Sequence, residues 1–171
     1  MNPVLQKLHK SIASATRGIT ADELTRHPEG KWCAGEVLEH LYLTYSGTIK
    51  GLDRVGTEGK PLARTPTLAD RVRTTVVVGL GYMPPGRKAP ERSQPRGMPA
   101  AQVVSEIATR IAEMDALLTQ YERQFGKRIR LMDHPVLGPL TAQQWRTFHW
   151  VHGRHHVKQI QRLREKPDAK P

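Results

Sequence analysis

The sequence predicts an all-α domain, and three observations carry that reading. Apolar residues recur at helical spacing through most of the 171 positions. Two Thr-x-x-Glu/Gln signatures, at Thr20–Glu23 and Thr141–Gln144, mark helix starts. No stretch alternates apolar and polar residues as a half-buried strand would, so no strand is expected. The length suits one compact domain spanning 1–171 with a core of its own.

The first helix follows from Val4, Leu5, Leu8, Ile12 and Ala15 and ends near Gly18. Thr20 begins a short helical turn reaching Thr25. A second long helix covers about 34–52, with Val37, Leu41 and Thr44 on one face and Leu38, Tyr42, Tyr45 and Ile49 on another. A helix apolar on more than one side is central in its domain. Residues 53–66 are polar with Gly and Pro and read as a loop. Residues 68–78 form a third helix, weakened by the β-branched TTVVV run. The Pro and Gly density of 79–99 excludes regular structure, which makes this long irregular loop a mobile lid or binding segment. A clean amphipathic helix over 99–125 presents Val103, Ile107, Ile111, Met114, Leu118 and Tyr121, and Gly126 stops it. Residues 134–140 are a tight connection; Thr141 then caps a last helix that runs to about Arg164, with Pro167 beyond it.

The net charge is +11 and the pI about 10.2. Arg71, Arg73, Arg87, Lys88, Arg92 and Arg96 thicken the middle, and Arg162, Arg164, Lys166 and Lys170 the tail. No aromatics interleave with them, so this is a solvated basic surface suited to a small anion rather than to nucleic acid. A lone cysteine, Cys33, excludes an internal disulfide and fits a reducing compartment. Neither a signal peptide nor a membrane-length apolar run is visible, so the expected location is the cytoplasm, with no membrane partner.

Four of the eight histidines fall in the segment FHWVHGRHH of the last helix. At about 100° per residue, His152, His156 and Gln159 share a face with Trp145 and Leu163. Imidazoles four residues apart lie one above the other and can reach one ion. A third ligand must come from another element, and His40, on the Val37–Thr44 side of the second long helix, is the candidate. Neutral imidazoles suit a divalent transition ion, zinc or nickel first. His149 and His155 lie to either side of the central line, as supporting or partly exposed groups.

WCAGEVLEHL near the start and HPVLGPLTAQQWRTFHWVHGRHHVKQI near the end resemble the DinB-like superfamily, in an uncharacterised bacterial branch, over roughly residues 4 to 165. The resemblance implies an antiparallel four-helix bundle with an unusual helix order. It implies a metal held by three histidines, one from the second helix and two from the last, which here are His40, His152 and His156. Family functions diverge: some members resemble metal-dependent transferases that use low-molecular-weight thiols such as bacillithiol or mycothiol, and one subgroup isomerises maleylpyruvate. Related proteins are frequently dimers, and the long apolar helix at 100–125 is a plausible contact for a homodimer.

Among other residues, Glu36 lies one turn before His40 and is the candidate catalytic base or orienting carboxylate; an ordinary first-turn acid is the alternative. Cys33 reads as a buried thiol, and Trp32 and Trp145 as core aromatics where helices begin. His134, extended because it precedes Pro135, either faces the site or caps a turn. No Ser-His-Asp order, phosphate loop or dinucleotide fingerprint is present. The expected activities are a thiol-dependent transfer or, with Glu36 as base, a metal-dependent hydrolysis. The alternative from another class is a non-catalytic protein that binds metal or nucleic acid.

Overall fold

Helix α1 (Pro3–Thr16) opens with Asn2, whose side chain accepts from the Val4 N–H, and with a proline in the first turn, where its missing N–H costs nothing. The structure, a computed structural model, describes residues 1–84 and 88–165. Arg87, Lys166, Lys170 and the stop signal Pro167 lie outside these. Leu5, Leu8, Ile12 and Ala15 form the buried face of α1. The one-turn α2 (Ala21–Thr25) has both halves of its Thr20–Glu23 capping box.

Helix α3 (Ala34–Glu58) is central, burying residues on several faces. It runs six residues beyond the expected stop at 52. Val55 is in the core, and Gly56 lies where a Cβ would overlap the Tyr121 hydroxyl, so packing rather than propensity carries the helix to Gly59. Next comes α4 (Leu68–Thr74), which passes directly into a π-helical turn over Thr75–Gly79. The β-branched run therefore appears as a widened turn, a form often found beside functional sites. The expected irregular loop follows, holding one 3-10 turn at Glu91–Ser93. Helix α5 (Ala100–Phe125) buries the predicted face and ends at Gly126.

The expected tight connection at 134–140 is instead a hairpin. Strand β1 (Arg130–His134) pairs antiparallel with β2 (Gly138–Thr141). Leu131, Met132, Leu137 and Leu140 anchor the hairpin in the core, and Pro139 is tolerated because, among the described residues, the sheet has two strands and each is an edge. Gly138 has φ +75°, and a side chain there would overlap Asp70, a carboxylate buried between Arg64 and Arg73. Helix α6 (Ala142–Glu165) starts on the predicted Thr141–Gln144 capping box.

The fold is mostly helical, with this small sheet added. α3 packs on α5 and α6, while α1 packs on α6. The α1–α6 approach is close at Gly153, where a Cβ would overlap Leu8. The glycine inside the histidine segment thus lets α1 close one side of α6 while the imidazoles occupy another. Among the described residues no helix is long and apolar enough to cross a membrane.

Candidate metal centre

α3 carries His40 and α6 carries His152 and His156, and their packing brings the three rings together. His152 Nε2 lies 3.1 Å from His40 Nε2 and 3.1 Å from His156 Nε2. Two nitrogens sharing a tetrahedral ion at zinc–imidazole distance stand about 3.3 Å apart. The donor set therefore has the spacing of a single-ion site.

Hydrogen bonds decide which lone pairs face that point. His40 Nδ1 is 2.7 Å from the Ser93 carbonyl oxygen, which can only accept, so Nδ1 carries the proton and Nε2 a lone pair. His156 Nδ1 donates to Gln159 Oε1 at 3.1 Å, which likewise frees its Nε2. His152 Nε2 has one proton at most and cannot satisfy both neighbours. Its own Nδ1 is buried without a partner among the described residues. A cation resolves this excess of acceptors, so the residues present fit a divalent metal.

Burial pushes all three imidazoles below their ordinary pKa. For His152 and His156 the neighbouring rings add to the effect, and His156 reaches about 3. The trio is neutral near pH 7, the form that binds metal. Trp32 packs against His40, at a centroid distance of 5.3 Å.

The three histidines open into a cavity of about 1370 Å³. Its floor is a stripe of α3 that includes Thr44, Gly47, Thr48 and Gly51, small residues that leave room for a ligand. Its walls include Val76 and Val77 of the π-helical turn, Leu137 of the hairpin and Phe148 of α6. Lys88, Arg92, Ser93 and Gln94 bring the irregular loop onto the site. That loop is fastened rather than free at its end, because the buried Glu39 carboxylate accepts from the backbone N–H groups of Arg96, Gly97 and Met98. The loop lies beside the site, tied to α3 at Ser93 and at Arg96, Gly97 and Met98.

Glu36 does not orient His40; the Ser93 carbonyl does. Glu36 Oε2 accepts from the Cys33 N–H and sits 2.9 Å from His27 Nε2, and Glu36 is not among the cavity's lining residues. Cys33 Sγ accepts from the Glu36 N–H, so the pair is a capping box. His149 is fully buried rather than partly exposed. Its Nε2–H donates to Thr48 Oγ1, whose own proton goes to the Thr44 carbonyl. His155 is exposed.

Sequence reasoning missed Ser93 and Glu39. Ser93 acts through its backbone, which leaves no side-chain signature. Glu39 stands beside His40, and only its position on α3, facing the loop end, reveals its task. No curated protein and no solved structure matches the chain. A family model described as protein of unknown function (DUF1569) matches residues 6–163, a span that includes all three clustered histidines, and the chain belongs to that family.

Proposed function

We propose that the chain is a DinB-like metalloenzyme: an antiparallel four-helix bundle of α1, α3, α5 and α6 that holds zinc or nickel on His40, His152 and His156. Its proposed reaction is the transfer of a low-molecular-weight thiol to a small, anionic electrophile. The observation that carries this reading is the convergence of three Nε2 atoms, two with their tautomer set by a hydrogen bond, at the edge of a large cavity. A divalent ion held there would supply Lewis acidity, favouring the thiolate over the thiol at neutral pH.

The chain's own residues do the rest. Ser93 and Gln159 hold two rings in register, Trp32 and Phe148 pack against His40 and His152, and Lys88 and Arg92 give the cavity a positive field. Glu36 is turned toward the helix cap and His27, which favours thiol transfer over hydrolysis.

The experiment is metal analysis of natively purified protein, followed by a screen of thiols against electrophiles with and without chelator. Stoichiometric metal and chelator-sensitive consumption of thiol are expected. Metal-loaded protein that hydrolyses esters or amides at a rate indifferent to thiol would overturn the transferase reading. Failure to bind metal at all would overturn the site.

A further inference from the structure

His134 closes the hairpin next to the cavity, and its two ring nitrogens have different duties. Nδ1 accepts from the backbone N–H groups of Val136 and Leu137, both at 3.1 Å. An atom that receives two N–H donors holds a lone pair, so in the neutral ring the proton is on Nε2. The turn of the hairpin thereby sets the tautomer. Nε2 has no partner among the described residues, and the half-buried ring lines the cavity. Burial holds the imidazole at about 4, so the ring is a neutral donor near pH 7.

Its position relative to the histidine trio follows from the rings. Phe148 lies between, 4.3 Å from His134 and 5.4 Å from His152 by centroid. Beside His40 the cavity is floored by Thr44, Gly47, Thr48 and Gly51 of α3. The cavity's charge is one-sided: Lys31, Arg54, Lys88 and Arg92 line it, whereas Arg73 is engaged by Asp70 and the lining acid Asp133 by Arg64.

We propose that His134 Nε2–H is a substrate-positioning donor that receives the carboxylate of a small organic acid, whose body lies along α3 between the hairpin and the three histidines. Val77, Leu137 and Phe148 supply apolar contact for that body, and the cationic lining supplies the attraction. This deepens the function proposed above by naming the chemistry of the ligand's far end. It rests on that reading only in taking the cavity as the ligand site.

The test uses the full chain, labelled with nitrogen-15 at histidine, and phenylbutyrate as probe with phenylbutanol as its neutral counterpart. Imidazole NMR at about pH 7 should show His134 as the Nε2–H tautomer, and its Nε2 resonance should move on titration with phenylbutyrate. The His134→Asn variant keeps a short acceptor for the hairpin N–H groups but loses the distal donor. It should bind phenylbutyrate about tenfold or more weakly at unchanged melting temperature, the loss typical of a hydrogen bond to a charged group. Phenylbutanol should bind equally and weakly to both proteins.

An Nδ1–H tautomer, equal phenylbutyrate affinity in His134→Asn, or no binding at about 10 mM would each overturn the proposal. If the variant unfolds, the tautomer and the titration shift are still read on the wild type. Metal content of the same samples reports separately on the metal proposal: protein without metal that still shows the His134 shift would sink the metal centre alone.

Discussion

Helix α6 buries polar side chains in two places, and the two are finished differently. Arg146 is sealed in the interior with Nε on Asp115 Oδ1 at 2.9 Å, Nη1 on Glu122 Oε2 at 2.8 Å and Nη2 on Thr119 Oγ1 at 2.9 Å. Each nitrogen has a partner, and Arg146 is not among the residues that line the large cavity. About two turns farther along, His152 and His156 meet His40 with more lone pairs than protons, beside a large cavity. A satisfied buried network holds the fold, whereas an unsatisfied one beside a cavity is completed by something else. The difference separates the structural from the ligand-binding side of one helix.

The largest expected effect lies on the structural side. Arg146→Ala leaves Asp115 and Glu122 without their cation, and chemical denaturation should show a loss of about 3–5 kcal/mol. Its folded fraction should still carry metal; a folded Arg146 variant devoid of metal would break the separation between the two sites. On the other side, His40→Ala, His152→Ala or His156→Ala should weaken metal affinity by about two to three orders of magnitude. His155→Ala should retain the metal. Elemental analysis after dialysis distinguishes these variants, and full occupancy in His40→Ala would remove that residue from the site.

Acid should act through the histidine side. Burial lowers His149 and His156 to about 3 and His134 to about 4, and it also lowers His40 and His152. A base whose folded pKa is depressed takes up its proton first in the unfolded chain, so stability is complete above about 6.5 and falls as pH drops through the window below it. Melting of chelated protein should follow that course. Metal should add stability near pH 8 and less toward pH 5, where protons compete for the same nitrogens. A metal increment that is constant across this range would exclude imidazole ligands. Replacing His40, His152 and His156 together should flatten the slope, whereas Arg146→Ala should only displace the curve downward.

A smaller effect is expected of Gln159→Leu, which removes the acceptor for His156 Nδ1–H. Metal affinity should fall about 10- to 100-fold with little change in melting. The smallest belongs to Glu36→Gln, which weakens a helix cap and the contact with His27. Stability should change by about 1 kcal/mol or less. Turnover, once a substrate is in hand, should be unaffected; a fall of about a hundredfold or more would restore Glu36 as a base.

Much of this was legible because helices write their own pattern. The buried faces of α1 and α5 follow from spacing, and so do the caps at Thr20 and Thr141, because both depend on residues within one or two turns. The alignment of His152, His156 and Gln159 on one face follows from the same geometry. The hairpin did not show itself: its strands are too short for alternation to register, and Pro135, Gly138 and Pro139 read locally as breakers. Core burial of Leu131, Leu137 and Leu140 outweighs those signals.

By itself, the sequence determined that this is a helical chain with an imidazole-bearing face on its last helix. Helical periodicity and capping are local, and they need no knowledge of neighbours. Tertiary structure decided which histidine does what. His149 shares the segment with His152 and His156, yet it is spent on Thr48, while His40 arrives from a point 112 residues away in the chain to meet His152. The Ser93 carbonyl sets the His40 tautomer, and two hairpin N–H groups set that of His134. These are backbone partners from distant or irregular segments. A backbone group carries no residue identity, so only the packed chain reveals where its lone pair or proton falls.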